Sequence, residues 1–278
     1  MRREAVDQRP AWVPDGVSLD QPSHARIYDY MLGGSHNSAA DREVARQVIE
    51  AMPDVLAMAR ANRAFLYRAV RFLVEAGMRQ FLDLGSGIPT VGNVHEIAQR
   101  MAPDSRVVYV DIDPVAVAHT RALLAGNDRA GVVQADVRDP DRILRSRQVR
   151  GLLDLDQPVG LLMVAILHVI PDADDPAGLL ARYRDSVARG SHLVLGHSTA
   201  DSRPEVLVKL REISHRTPAT MNPRSHSEIS RFFAGFELVE PGLVWVPQWR
   251  PDPEDELFPP ERAANYGGVG RKGLTPES

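Results

Sequence analysis

Two hydrophobic rhythms divide this 278-residue chain, and the change between them falls near Gln80. Ahead of it, Ala57, Ala61, Phe65, Ala69 and Phe72 recur at helical spacing and predict one buried stripe on a long helix. A helical region is expected from about residue 23 to residue 75, with Ser38 and the following Asp41 marking a helix start. Within it, Gly33-Gly34-Ser35-His36-Asn37 is a run that helix propensity disfavours, so a turn is expected there. Beyond Gln80 the apolar runs are short and continuous, at 81–84, 107–110, 132–133, 159–166 and 192–195, with helical stretches between them. Such strands alternating with helices predict a mainly parallel sheet covered on both faces. Asp113-Pro114, Asp139-Pro140 and Asp175-Pro176 each set a capping carboxylate before a proline suited to the first helical position. Ser225 with Glu228 forms a capping box. Two runs, 236–239 and 243–246, are spaced to pair as a C-terminal antiparallel hairpin. The predicted organisation is an arm (1–22), an N-terminal helical cap (23–75), a Rossmann-like α/β core (76–250) and a surface tail (251–278).

Composition and charge narrow the class. The formal net charge is −4 and the basic residues are scattered, so no electrostatic footprint for nucleic acid is seen. No apolar run approaches the ~20 residues of a membrane-spanning helix. The absence of cysteine excludes disulfides, thiolate nucleophiles and cysteine-held iron–sulfur clusters. With no apolar leader at its start, the chain is expected to be cytoplasmic.

The segment Phe81-Leu82-Asp83-Leu84-Gly85-Ser86-Gly87 reads as a strand ending in an acid, then a glycine turn, with a helix from about residue 91. Gly85 and Gly87 permit positive φ and bring backbone close to a ligand. The helix N-terminus would offer N–H donors to an anion. An acid at the strand end suits a cationic amine better than a pyrophosphate. The next strand ends in Asp111, 24 residues beyond Gly87, where a carboxylate can accept from both ribose hydroxyls. Asp113 is a rival, better used as the cap before Pro114. The third run ends in Ala135-Asp136-Val137, which offers an acceptor for an adenine amino group and an apolar side chain for the ring. Ser86 in the turn and Ile112 after Asp111 complete the candidate cofactor site. Three acids at successive strand ends point to an adenosyl ligand. Thr90, where a dinucleotide fingerprint needs glycine, disfavours NAD. S-adenosyl-L-methionine, with an ammonium and a carboxylate at its methionine end, suits the pattern.

These residues resemble the class I methyltransferases, whose first motif reads acid-x-Gly-x-Gly-x-Gly. Over about residues 20–250 the chain is similar, more specifically, to an actinobacterial group of predicted S-adenosylmethionine-dependent methyltransferases long described as a domain of unknown function. The matching stretches are 26–34 with Asn37 and Asp41-Arg42, 81–89, 110–114, Leu167-His168-Val169-Ile170-Pro171 and Arg224-Ser225. The resemblance implies S-adenosylmethionine as cofactor, held by Asp83, Gly85, Gly87, Asp111 and Asp136. Pro89 stands where the broad motif has its third glycine, which puts the usual geometry at the methionine end in question. The family brings no known acceptor.

The fourth and fifth runs end at the ligand crevice of an open parallel sheet. His168 and His197 are therefore candidate bases for a hydroxyl or amine acceptor, against the plainer reading of histidines that bond loop backbone. Asp172, Asp174 and Asp175 could suggest a metal, but helix capping explains Asp175 and no His–Asp spacing completes a site, so none is expected. Tyr28 and Tyr30, beside Gly33-Gly34, form either a lid that orders on cofactor binding or plain packing. A serine hydrolase is one rival: Gly196-His197-Ser198-Thr199-Ala200 approximates a nucleophile elbow, with Asp201, His215 and His226 downstream. Pro204 counts against it, because it would break the helix that must follow. A non-catalytic adenosyl-binding or regulatory protein on the same scaffold is the other. The preferred reading is methyl transfer from S-adenosylmethionine to a small-molecule acceptor.

Overall fold

The computed structural model describes residues 12–90, 92–202, 213, 221–252 and 259–273. Helices α1 (His24–Met31), α2 (Ala39–Ala51) and α3 (Val55–Glu75) precede the sheet. Strands and helices then alternate: β1 (Gln80–Leu84), α4 (Val94–Met101), β2 (Arg106–Asp111), α5 (Pro114–Leu123) and β3 (Ala130–Gln134). They continue through α6 (Pro140–Leu144), α7 (Arg147–Leu152), β4 (Gly160–Val164), α8 (Pro176–Asp185) and β5 (His192–Ser198). Helix α9 (His226–Arg231) and short strands β6 (Glu237–Leu238) and β7 (Val244–Trp245) lead to β8 (Asn265–Arg271).

The strand order is β3-β2-β1-β4-β5-β8-β6, with β7 also paired to β8. Strands β1 to β5 are mutually parallel, so their carboxyl ends share one edge. The strand order reverses between β1 and β4, and ligands bind at that point in open α/β sheets. Alternate residues of the strands feed two cores, as a period of two requires. Leu82, Leu84, Val108 and Val110 pack with α6–α9, whereas Phe81, Val107 and Tyr109 pack with α3 and α4.

The expected caps form. Ser38 and Asp41 make a capping box on α2, Ser225 and Glu228 one on α9, and Asp113, Asp139 and Asp175 cap α5, α6 and α8. The buried face of α3 runs through Met58, Asn62, Phe65, Leu66, Ala69 and Leu73, leaving Ala57, Ala61 and Phe72 half-buried at its margin. The expected stripe is thus rotated. The helix also holds the C-terminal segment, with Arg68 donating from Nε to Trp249 O (2.9 Å) and from Nη2 to Val246 O (2.7 Å). Periodicity cannot anticipate partners that far along the chain.

The C-terminal pairing differs from expectation. β6 and β7 do not pair with each other; each runs antiparallel to β8. β8 lies within the residues expected to form a surface tail. It also pairs antiparallel with β5, from His192 opposite Arg271 to Ser198 opposite Asn265. Its sequence, NYGGVGR, hides the strand because glycine replaces the usual apolar residues. The glycines are there for space: a Cβ on Gly267 would stand 2.9 Å from both the Phe65 ring and Val246.

The cap is welded to the core rather than laid over it. Buried Arg26 donates from Nε to Asp41 (2.8 Å) and from Nη1 to Asp113 (3.3 Å), and Ser23 Oγ also donates to Asp113. The glycine turn after α1 is fixed as well. Asp29 Oδ2 accepts from the His36 N–H (2.9 Å) and Asn37 Nδ2 (2.8 Å), and the Gly34 N–H donates to Asp29 O (2.8 Å). Among the described residues no helix is long and apolar enough to cross a membrane.

Candidate functional site

Strand β1 carries Asp83 to the point where the strand order reverses, and the glycine turn curls beside it. Gly85 has φ +75°, and a Cβ there would lie 2.5 Å from Ile166, so both conformation and space demand glycine. The N–H groups of Gly85 and Ser86 donate to Val110 O at 2.8 and 3.1 Å. The Gly87 N–H donates to Asp111 Oδ2 (2.7 Å), and the Asp113 N–H to Asp111 Oδ1 (2.8 Å). Asp111 is therefore oriented from both sides, with a further lone pair on each oxygen. Asp113 acts as the expected cap, its Oδ1 accepting from the Val115 N–H at 2.7 Å.

Asp111 lies close enough to Asp83 to raise its cost of ionisation. Burial pushes Asp83 up to about 7, with Arg63 opposing and Asp111 adding to the shift. Burial likewise pushes Asp111 up to about 6, against its backbone donors. The Asp83 carboxylate has no hydrogen-bond donor among the described residues. A buried carboxylate in that condition is stabilised by an arriving cation.

Ile112 follows Asp111 and is 62% exposed, which gives the strand end an uncovered apolar face. Asp136 lies just past β3. It is gripped by Arg138, whose Nη2 reaches Oδ2 at 2.6 Å and whose Nη1 reaches Asp174 at 2.8 Å. Burial alone would raise the Asp136 carboxyl, but the bonds from Arg138 outweigh it and hold it below the ordinary range. Any adenine contact by Asp136 shares that carboxylate with Arg138. Val137 is buried, and its carbonyl accepts from Tyr183 Oη at 2.7 Å.

The two histidines lie close together, their rings 5.7 Å apart edge to face. His197 is fully buried and both its nitrogens are taken: Nδ1 donates to Ser198 O (2.7 Å) and Nε2 accepts from Arg224 Nη1 (2.9 Å). Burial, against that backbone bond, lowers it to about 4. Its geometry is that of a strut for Arg224 rather than a base. His168 accepts at Nδ1 from the Ser198 N–H (3.4 Å), so its proton sits on Nε2. Burial, then His197, His24 and Arg224, depress it well below the ordinary value. Arg224 clamps the loop after β4, donating to Leu167 O (3.0 Å), Ile170 O (2.9 Å) and Asp172 (2.7 Å). Asp172, Asp174 and Asp175 are engaged by Arg224, by Arg138 and by the α8 cap respectively.

No hydrolase triad assembles among the described residues. Ser198 ends β5, while Asp201 accepts from the His226 N–H and His226 Nε2 meets Leu243 O. His215 and Pro204 lie outside the described residues.

The profile of the S-adenosyl methyltransferase family matches residues 10–273. The chain belongs to this family. It is similar to a candidate methyltransferase from Thermobifida fusca, with 41% identity and TM-score 0.88 over 95% of this chain and all (100%) of that one. It is also similar to a DUF574 family protein from Streptomyces avermitilis, with 42% identity and TM-score 0.87 over 92% of this chain and 100% of that one. No curated protein matches. The cofactor of this S-adenosyl methyltransferase is S-adenosylmethionine, as the strand-end acids led us to expect.

The donorless Asp83 fits that cofactor, whose methionine end carries an ammonium. Arg63 and Arg138 escaped the sequence reading, and Arg224 stood in it only as part of a matching stretch. Arg138 follows β3 directly, whereas Arg63 of α3 and Arg224 of the segment before α9 are brought to the strand ends by the fold.

Proposed function

We propose that this S-adenosyl methyltransferase methylates a small molecule held between the N-terminal cap and the carboxyl ends of β4 and β5. The observation that carries the reading is Asp83, a buried carboxylate without a donor, set beside a glycine turn where the strand order reverses. Bound there, S-adenosylmethionine supplies a methyl group on a sulfonium, open to in-line attack. Asp83 takes the ammonium, Asp111 accepts from the ribose hydroxyls, and Ile112 offers its exposed side chain to the adenine face. Asp136 and Val137 bound the adenine edge, with Arg138 fixing Asp136.

On the acceptor side His168 holds its proton at Nε2, so it orients an acceptor by donation before it can serve as a base. Ala165, in the loop after β4, has φ +62°, a conformation costly for a residue with a Cβ and common where a site is pre-shaped. His24 of α1 lies near enough to depress His168, so the cap contributes to this wall. The net charge of −4 argues for a small acceptor over nucleic acid.

The test is calorimetry with S-adenosylhomocysteine and NAD, followed by product detection across hydroxyl and amine acceptors. Tight NAD binding without S-adenosylhomocysteine binding would overturn the assignment. Cofactor binding without turnover on any acceptor class would favour an adenosyl-binding regulator instead.

A further inference from the structure

The methionine carboxylate needs a cation or a set of free N–H donors, and the start of the helix after the glycine turn is one place that can supply the latter. Here part of that source is already taken up. Pro89 has no N–H to give, and α4 begins only at Val94. The Asn93 N–H donates to Glu96 Oε2 (2.8 Å), and the His95 N–H donates to Tyr109 Oη (2.8 Å). Glu96 also places a negative charge on the helix start, where an incoming anion would be repelled.

A positive charge reaches the same recess from elsewhere. Arg63 of α3 lines it together with Asp83, Ser86, Gly87, Asn93 and Tyr109, and is the one cation among the lining residues. Its only hydrogen bond among the described residues runs from Nη2 to Gly92 O (3.1 Å). A guanidinium has five N–H donors in a fork that matches a carboxylate, so most of its capacity is uncommitted. Ser86 Oγ, in the same lining, is shielded from solvent and has no partner among the described residues. Arg63 lies near enough to Asp83 to act on it electrostatically without pairing with it. The recess thus offers a carboxylate and a guanidinium cation to the two charged ends of an amino acid.

We propose that Arg63, a residue of the cap, receives the α-carboxylate of the cofactor's methionine moiety, with Ser86 Oγ as second donor and Asp83 opposite for the ammonium. The proposal rests on the cofactor reading above and adds a cation to the recess at the start of α4. It also makes the cap part of the cofactor pocket, so ligands lacking the carboxylate lose a defined share of affinity.

Two probes isolate that group: S-adenosylhomocysteine, and its decarboxylated analogue S-adenosyl-3-thiopropylamine, which keeps the ammonium. By calorimetry, Arg63→Gln should weaken S-adenosylhomocysteine about 10- to 100-fold, the range for a hydrogen bond to a charged group. The variant should leave the decarboxylated analogue within about twofold of wild type, completing a double-perturbation cycle. Arg63→Lys should recover part of the loss, since it restores charge without the fork. It carries the same comparison if Arg63→Gln does not fold. Equal weakening of both probes would assign Arg63 to structure, and no weakening of either would remove it from the site; both overturn the proposal. Wild-type protein that binds neither probe would instead sink the cofactor reading, and this inference with it.

Discussion

Two aspartates two positions apart have different work, and their removal should register in different measurements. Asp111→Ala removes the ribose acceptor and should weaken S-adenosylhomocysteine by about 1.5–3 kcal/mol. Asp113→Ala removes the α5 cap, worth about 0.5–2 kcal/mol. It also strips buried Arg26 of one carboxylate, and breaking a buried pair costs about 3–5 kcal/mol. Urea unfolding should therefore show a loss larger than a cap alone. Exchanged effects would mean that the ribose belongs to Asp113.

Asp83 gives a pH signature. Its carboxyl is raised to about 7 in the folded protein, above the ordinary ~3.9. The sign follows: relative stability is fully present below the ordinary value and is lost as pH rises through about 7. Asp83→Asn should then stabilise the unliganded protein above about pH 7 and change little near pH 4. Binding of an ammonium favours the ionised form, so wild-type affinity should fall as pH drops below about 7. Asp83→Asn should bind more weakly and keep only the lower step from Asp111, near 6. An identical pH slope in both proteins would remove Asp83 from the cofactor contact.

At the scale of elements, β8 holds its place by what it lacks. Gly267→Val would drive side-chain atoms into Phe65 and Val246 and should cost about 1–3 kcal/mol by overpacking. Ser225→Ala, which loses the α9 capping box, should cost about 0.5–2 kcal/mol. Denaturation midpoints of the two variants would rank them. A Gly267→Val protein as stable as wild type would mean that β8 does not sit between β5 and the short strands.

For the whole molecule, the cap decides how the protein can be divided. Deleting residues 1–37 removes Ser23 and Arg26, and also Trp12, Val17 and Ala25, which cover Ile88, Val115 and Ala116. The truncated protein should lose stability and cofactor affinity together, because Asp113 would keep its charge without its partner. A truncated core that binds S-adenosylhomocysteine normally would mark the cap as a separable lid. Hydrogen exchange offers a gentler check: the Gly34 and His36 amides, held by Asp29, should be protected before ligand is added. Amides there that exchange freely and slow only with ligand would restore a moving lid.

Local chemistry made much of this legible in the sequence. A cap needs only an acid or serine and the residues just after it, so Ser38, Asp113, Asp139, Asp175 and Ser225 could be read directly. A strand that ends in Asp83 before Gly85 and Gly87 carries its own turn, which is why the cofactor end of the site was visible without a fold. Tertiary structure alone decided what depends on distant partners. It turned α3 so that Arg68 meets Trp249 and Val246, drew glycine-rich β8 into the sheet, and committed His197 to Arg224. It also brought Arg63 from the cap to the recess beside Asp83, 20 positions along the chain. A sequence records periodicity and capping because neighbouring residues fix them. The partner of a buried charge, or the space left for a glycine, is fixed by residues that only folding brings near.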